Sequence, residues 1–190
     1  KESNDRILGS PVTLRWSYSE AKAIDESLAY AYFVEKQLET RIVRFFNTVG
    51  PRQLGAYGMV VPRFVKSALV NEPITIYGDG NQTRCFAHVY DVIEAVISIA
   101  FTDNTVGKVI NIGNDFEISI NGLAQKIIAE TGSKSEIVYV PYEEAYGDGF
   151  EDMERRVPNI DLINELVGWK PKRDLTTIIT DISAELKKSS

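Results

Sequence analysis

Apolar residues recur at helical spacing in several segments of the chain. The clearest stripe joins Val61, Phe64, Val65, Ala68 and Leu69, and it predicts an amphipathic helix over about 59–71. Similar stripes, with Ser17, Asp91 and Ser119 as candidate caps, predict further helices. These helices cover about 17–38, 91–100 (mostly buried), 119–132, 161–167 and a final segment from Leu175 to Leu186.

Short β-branched and aromatic runs lie between the helical segments. They predict strands over 40–46, 74–77, 83–89, 108–113 and 136–140. Gly78 to Asn81 is predicted to be a hairpin turn, and 141–157 a long loop that presents Asp152, Arg155 and Arg156. Because helices alternate with strands along the chain, the predicted class is α/β.

Composition narrows the range of functions. The 190 residues are 44% hydrophobic and 25% charged, with a net charge of −6, which argues against a nucleic-acid or membrane-surface partner. A single cysteine excludes an intrachain disulfide, and no apolar run is long enough to span a bilayer, so we expect a cytoplasmic protein. The only histidine, His88, has no neighbouring ligand residues, so we expect no metal site and a structural or surface histidine.

Tyr18 and Lys22 form the first candidate for chemistry. Four residues apart on a helix, they share one face, and an ammonium close to a phenol favours the phenolate that can accept a substrate proton. The alternative is a tyrosine packed on the core with a solvated lysine one turn later, since this spacing also arises by chance.

Asn47 follows the strand predicted over 40–46. In α/β sheets ligands bind beyond the carboxyl ends of strands, so Asn47 is placed to reach one, although an asparagine that only forms the turn is an equal alternative. Arg155 and Arg156 could likewise be solvated charges that balance the neighbouring acidic residues.

Several motifs in order resemble one family, the extended short-chain dehydrogenase/reductases that act on nucleotide sugars. These NAD-dependent epimerase/dehydratase enzymes include UDP-glucose 4-epimerases and UDP-glucuronate decarboxylases, which are isomerases and lyases. The motifs are Tyr-Ser-Glu-Ala-Lys (18–22), Arg-Phe-Phe-Asn-Thr-Val-Gly-Pro-Arg (44–52), Val-Pro-Arg-Phe (61–64), Ile-Tyr-Gly-Asp-Gly (76–80), Gln-Thr-Arg-Cys-Phe (82–86), Asn-Ile-Gly (111–113) and Gly-Trp-Lys-Pro (168–171).

The resemblance implies roles for individual residues. Tyr18 would be the acid/base, and Lys22 would bind the nicotinamide ribose, with Phe46 lining that cofactor site. The substrate, most simply a UDP-sugar, would be bound by residues implied for the sugar, the uracil, the ribose and the diphosphate: Asn47, Val60, Val61, Tyr77, Arg84, Asp152 and Arg155.

The resemblance also implies an incomplete enzyme. The family's Gly-rich NAD-binding turn does not occur in this sequence, so we expect a C-terminal portion that is inactive alone. We expect residues 1–58 to be the remainder of a Rossmann domain, and 59–190 to be mainly a small α/β substrate-binding domain with segments returning to the Rossmann core.

The leading functional expectation for the parent protein is a UDP-glucose 4-epimerase that acts through a 4-keto sugar. The alternatives are a UDP-glucuronate decarboxylase, a dTDP-glucose 4,6-dehydratase, or a non-catalytic nucleotide-sugar-binding fragment. A homodimer through the tyrosine-bearing helix is expected for the full-length enzyme.

Overall fold

A computed structural model describes residues 1–10, 12–13, 16–53, 59–142, 144 and 153–188. The helices are α1 (Ser17–Lys36), α2 (Val60–Leu69), α3 (Val89–Ala100), α4 (Ile120–Thr131), α5 (Asp161–Val167) and α6 (Leu175–Lys188). The strands are β1 (Ile42–Phe45), β2 (Thr48–Val49), β3 (Ile74–Tyr77), β4 (Thr83–Cys85), β5 (Ala87–His88), β6 (Val109–Ile112), β7 (Glu117–Ser119), β8 (Ile137–Val140) and β9 (Arg155–Arg156).

The strands form small sheets, and most of the pairings are parallel. Strand β1 pairs with β6, β2 with β5, and β3 with β8, all in parallel. Strand β4 lies between β7, which is antiparallel to it, and β9, which is parallel. The predicted α/β class is confirmed, and parallel pairing follows from the helices that connect the strands.

The hairpin predicted at Gly78 to Asn81 is wrong. A turn is present there, but β3 and β4 do not pair: β3 pairs with β8, whereas β4 pairs with β7 and β9. The Gly-Asp-Gly-Asn signal reports only the local change of chain direction, and it carries no information about which strands become neighbours.

Two hydrophobic cores organise the chain. The first, called here the three-helix core, joins α2, α4 and α6 to β3 through Phe64, Ile76, Leu123 and Ile178, which are all at most 1% exposed. The second, called the β1–β6 core, joins β6, α3 and α5, with Ile110, Ile112 and Ile163 fully buried. The predicted division at residue 58 stays a prediction. Helices α3 and α5 and strand β6 follow that boundary in the chain, but they belong to the core that includes Val43 of β1.

Helix α4 follows its sequence signals closely. The Ser119 hydroxyl accepts a hydrogen bond from the Gly122 N–H at 3.0 Å, and Gly132 ends the helix with φ of 65°. The Ser119 hydroxyl thus satisfies a backbone N–H that the helix N-terminus leaves unpaired, and the left-handed Gly132 turns the chain away from the helix axis. The cap predicted at Ser17 is not seen, because Trp16 is the N-cap of α1 and makes no side-chain capping bond.

Helix α3 differs from the prediction in two ways. Its N-cap is His88, whose Nδ1 accepts a hydrogen bond from the Tyr90 N–H at 3.1 Å, rather than Asp91. Asp91 lies inside the first turn, fully buried. The helix is also less buried than expected, since Ile93 and Ile97 are 47% and 54% exposed.

His88 is fully buried, and its environment couples stability to pH. Burial lowers the pKa of the imidazole, opposed by the Asp181 carboxylate, which lies 3.2 Å from Nε2 but is poorly aligned for a hydrogen bond. Asp91 also favours the protonated ring, whereas Arg173 disfavours it. The unfolded chain therefore binds a proton more readily than the folded chain does.

We expect stability to fall as pH drops below about 6.5, the usual pKa of histidine, towards the lower pKa of the folded state. Denaturant midpoints measured from pH 8 to pH 5.5 check this, with His88→Asn as the comparison because an amide oxygen keeps the capping acceptor without titrating. An equal pH slope in the two proteins over this range would contradict the assignment to His88.

Candidate functional site

Tyr18 and Lys22 lie in the first two turns of α1. The Lys22 Nζ is 5.9 Å from the centroid of the Tyr18 ring, and the tyrosine is 70% exposed. Lys22 also forms an ion pair with Asp25 at 2.7 Å, and this hydrogen bond is the main reason that the lysine pKa is raised. The two side chains are thus adjacent as expected, and the alternative of a core-packed tyrosine does not hold in this structure.

Helix α1 runs antiparallel to β1, and this direction places the tyrosine. The Thr40 hydroxyl donates to the Ala29 carbonyl at 3.1 Å, while Arg44 binds Glu26 through two hydrogen bonds of 2.9 and 2.7 Å. Since each helical residue advances about 1.5 Å, the turns that precede Glu26 extend past the carboxyl end of β1. Tyr18 and Lys22 therefore project beyond the strand end where Phe46 and Asn47 follow.

Phe46 marks that end of the sheet. Its N–H donates to the Ile112 carbonyl at 2.9 Å, and its Cβ lies so close to Gly113 that a Cβ added there would be only 2.8 Å away. The glycine of the Asn-Ile-Gly motif is thus required by the close approach of Phe46 and Pro158. The Arg156 guanidinium lies over the Phe46 ring, 5.2 Å from its centroid.

Asn47 has a structural role in addition to its position at the strand end. Its backbone has φ of 21°, its Nδ2 donates to the Cys85 carbonyl at 2.9 Å, and its own carbonyl accepts from the Ala87 N–H at 3.1 Å. The side-chain amide therefore ties the end of β1 to the segment between β4 and β5. Its predicted contact with the substrate stays a prediction.

The alternation of side chains along β9 directs Arg155 and Arg156 to opposite faces of the sheet. Arg155 makes hydrogen bonds of 2.9 to 3.1 Å with the Glu117 carboxylate and has a 69% exposed side chain, so its proposed nucleotide contact competes with this ion pair. The same pairing lowers the Glu117 pKa. Neighbouring strand residues project to opposite faces, so Arg156 faces away from Glu117.

Arg84 and Arg156 are direct register partners in the parallel β4–β9 pair. Register partners on adjacent strands share one face of a sheet, so the two side chains project to the same side. The Arg84 Nη1 donates to the Thr83 carbonyl at 2.8 Å, which orients this guanidinium. Sequence reasoning selected Arg84 but missed Arg156, because the alternation of a two-residue strand gives no visible pattern.

The remaining predicted substrate residues differ in how accessible their side chains are to a ligand. Val61 is fully buried in the three-helix core, so its side chain cannot touch a nucleotide, and Val60 packs against the same core. Their backbone N–H groups, in the first turn of α2, remain as candidate hydrogen-bond donors to the nucleotide. Tyr77 ends β3, and the Arg63 guanidinium covers one face of its ring at 4.5 Å. Asp152 lies outside the described residues.

A separate cleft of about 410 Å³ contains none of the predicted site residues. It is lined by apolar side chains such as Phe86, Phe116 and Ile118, and by Lys126 and Lys172. Those two cations are paired with Glu130 and Glu94 at 3.0 and 2.7 Å, so the cleft offers little free positive charge.

Cys85 is buried and its thiol pKa is raised to about 11, mainly by burial, which excludes it as a nucleophile at neutral pH.

Among the described residues, no cluster of side chains could hold a metal ion, and no helix is both long and apolar enough to cross a membrane. The cytoplasmic location and the homodimer stay predictions.

The fold and the candidate site together define an α/β protein with parallel strand pairs, a Tyr/Lys helix that extends past the carboxyl end of β1, and two arginines that are register partners on β4 and β9. Residues 9–182 match the family model described as GDP-mannose 4,6 dehydratase, and the chain belongs to this family.

Individual relatives agree with this assignment. The chain is 42% identical to a UDP-N-acetyl-alpha-D-glucosaminuronate decarboxylase of Bacillus cytotoxicus, over 90% of this chain and 53% of the relative. It is 35% identical to UDP-glucuronic acid decarboxylase 1 of Danio rerio, over 85% of this chain and 37% of that protein.

A solved structure extends the comparison. The dTDP-glucose 4,6-dehydratase of Bacillus anthracis, solved in complex with NAD, superposes with a TM-score of 0.83 at 26% identity, over 99% of this chain and 55% of that one. The chain thus spans about half the length of the Bacillus cytotoxicus and Bacillus anthracis proteins and little more than a third of the Danio rerio protein.

Proposed function

We propose that this chain is the substrate-binding part of an NAD-dependent UDP-hexuronate decarboxylase. The observation that carries this proposal is the register pairing of Arg84 with Arg156, together with the position of the Arg156 guanidinium over Phe46. Two guanidinium groups on one face, one of them beside the implied nicotinamide site, suit a substrate that is anionic at both of its ends.

The charges of the substrate explain the need for two arginines. A UDP-hexuronate carries a diphosphate and, at the far end of the sugar, a carboxylate. A guanidinium binds either group through paired charge-assisted hydrogen bonds. Arg84 would bind the diphosphate, and Arg156, nearer the reacting sugar, would bind the carboxylate.

Tyr18 would remove the proton from the sugar 4-hydroxyl, with Lys22 stabilising the phenolate and holding the nicotinamide ribose. NAD, when bound, supplies the hydride acceptor for C4. The positions of Tyr18, Lys22 and Phe46 beyond the end of β1 fit this cofactor. Oxidation at C4 makes the sugar a β-keto acid, whose carboxylate leaves as carbon dioxide while the electron pair moves into the 4-keto group. A proton then adds at C5, and return of the hydride to C4, with a proton from Tyr18 to the 4-oxygen, would give the UDP-pentose with no net change in the cofactor.

The epimerase that the sequence first suggested requires no arginine for a sugar carboxylate. The curated relatives described above are decarboxylases, and their names favour the alternative over the epimerase. An epimerase and a decarboxylase share the first oxidation, so only the product distinguishes them.

The test uses a protein extended to the full length of the relatives. With NAD and UDP-glucuronate or its 2-acetamido analogue, we expect release of carbon dioxide and a UDP-pentose. We expect Arg156→Gln to lower kcat/KM by about 10- to 100-fold, because one charge-assisted contact is lost.

Arg155→Gln is the matched control, because its guanidinium is held by Glu117, and we expect its kcat/KM to stay within about threefold of wild type. A product that keeps its carboxylate, with inverted C4, would refute the decarboxylase and support a 4-epimerase that acts on the UDP-hexuronate. Equal effects of the two arginine variants would refute the role given to Arg156.

A further inference from the structure

Helix α1 lies against the sheet without a fully buried side chain. None of its residues, from Ser17 to Lys36, is buried. Near its C-terminal end, Phe33 packs closely on Gly107. Most helices in proteins are held in place by the packing of an apolar face. With so little apolar burial, polar contacts have to fix where the first turns of α1 lie.

One polar contact between α1 and β1 is shielded from solvent and has two points of attachment. The Nε and Nη2 atoms of Arg44 donate to the two carboxylate oxygens of Glu26 at 2.9 and 2.7 Å. These side chains are only 25% and 18% exposed, whereas those of Lys22 and Asp25, paired on the same helix, are 52% and 60% exposed. A two-point contact fixes the angle between two groups as well as their distance.

The surroundings keep this pair charged. The hydrogen bonds from Arg44 lower the pKa of the Glu26 carboxyl, helped by the Arg6 guanidinium at 3.6 Å, and the same bonds raise the pKa of Arg44. The Arg44 Nη1 also donates to the Glu2 carbonyl at 3.4 Å. The contact therefore persists when groups with a pKa near neutrality titrate.

The pair is in line with both parts of the candidate site. Glu26 is four residues after Lys22, so the two side chains project from one face of α1. Arg44 is two residues before Phe46, which in an extended chain places both on one face of the sheet. A change in how Glu26 meets Arg44 therefore rotates or slides Tyr18 relative to the site that Phe46 lines.

We propose that Glu26 and Arg44 are positioning residues for the acid/base. Neither touches the substrate, and together they hold the Tyr18 hydroxyl within reach of the sugar 4-hydroxyl. A general base acts at hydrogen-bond distance, and a displacement of about 1 Å can cost roughly 100-fold in rate. The inference rests on the proposed function, because it takes Tyr18 as the acid/base.

The test uses the protein extended to the full length of its relatives, with NAD bound. We expect Glu26→Gln to lower kcat by about 10- to 100-fold, because the amide offers only one acceptor to the two Arg44 donors. The KM for the UDP-sugar should stay within about threefold, since the contacts proposed for Arg84 and Arg156 are unchanged. With a substrate deuterated at C4, the isotope effect on kcat should be at least as large as in the wild type, because the oxidation at C4 is the step that is slowed.

Two measurements without turnover separate positioning from loss of folding. The calorimetric stoichiometry of UDP counts the intact sites, and we expect it to equal that of the wild type. Amide hydrogen exchange of residues 18–22, measured without ligands, should be faster in Glu26→Gln, because the first turns of α1 have lost their attachment to β1. Exchange in α4 should not change.

Further variants define the contact. Arg44→Lys keeps the charge but not the two-point geometry, so its kcat should lie between those of the wild type and Glu26→Gln. The double variant Glu26→Gln/Arg44→Gln should lose no more kcat than the worse single variant, because both substitutions break one contact.

Glu130→Gln is the matched control. Glu130 pairs with Lys126 at 3.0 Å and its side chain is 29% exposed, but it lies on α4. We expect its kcat to stay within about twofold of the wild type.

Three results would overturn the inference. One is a kcat within about threefold of the wild type for both Glu26→Gln and Arg44→Gln. The second is a pair of losses that add fully in the double variant. The third is a fall in kcat matched by an equal fall in UDP stoichiometry, which would mark a purely structural role. A product that keeps its carboxylate refutes the proposed decarboxylase and leaves this inference standing, because both reactions begin with the same oxidation at C4.

Discussion

Replacement of Tyr18 by phenylalanine, in a protein extended to the length of its relatives, is expected to lower kcat by about 100- to 10,000-fold. This is the range that a positioned general acid or base contributes. The substitution removes only the hydroxyl, and the ring is 70% exposed, so the fold should not change. Affinities for NAD and the UDP-sugar, measured by calorimetry, should stay close to wild type.

Tyr32→Phe is the control for Tyr18→Phe. Tyr32 lies on the same helix and is 54% exposed, but it stands nearly four turns from Tyr18, towards the amino end of β1. We expect its kcat to equal that of the wild type. A Tyr18→Phe enzyme that keeps more than a tenth of the wild-type kcat would exclude Tyr18 as the acid/base.

Asp91→Asn is expected to destabilise the chain by about 3 kcal/mol or more, because it removes a buried carboxylate on which several charge-assisted hydrogen bonds converge. Asp91 is fully buried, accepts hydrogen bonds from the N–H groups of Lys172 and Arg173 at 3.0 and 2.9 Å, and forms a close ion pair with the Arg173 guanidinium. An amide carries no charge and presents donors to this cluster of donors. For a chain of this size the loss corresponds to a fall in Tm of roughly 6–12 °C.

Glu94→Gln is the matched comparison for Asp91→Asn. Glu94 also binds Lys172 and Arg173, but its side chain is 40% exposed, so solvent screens these ion pairs and their loss should cost much less free energy. Denaturant unfolding of both variants at pH 7 measures the difference. If the two substitutions cost the same free energy, the buried contacts of Asp91 do not hold the last part of the chain to α3.

Local signals predicted local structure well. Ser119 and Gly132 delimit α4 because a hydroxyl cap and a left-handed glycine act through their own backbone neighbourhood. The adjacency of Tyr18 and Lys22 followed from helical spacing alone, and the structure shows both in the first turns of α1.

Properties that depend on distant neighbours were not predictable in the same way. The Gly78–Asn81 turn looks like a hairpin because the sequence does not show that β8, far along the chain, lies beside β3. Val61 was chosen for a nucleotide contact, yet its position on the inner face of α2 buries it. Arg155 and Arg156 are equivalent in sequence, and only the pairing of β9 with β4 sends them to opposite faces.

The parallel pairings also set the order in which this chain can fold. Ile42 pairs with Val109 and Ile74 with Ile137, so each strand waits for more than 60 further residues before its partner exists. Such non-local contacts require loops to close before any pairing energy is gained, which slows folding to roughly the millisecond-to-second range. During synthesis, β1 emerges well before the segment that contains β6, so it stays without this partner until that segment has been made. Lower expression temperature, which weakens hydrophobic association of exposed segments, should therefore raise the yield of folded protein.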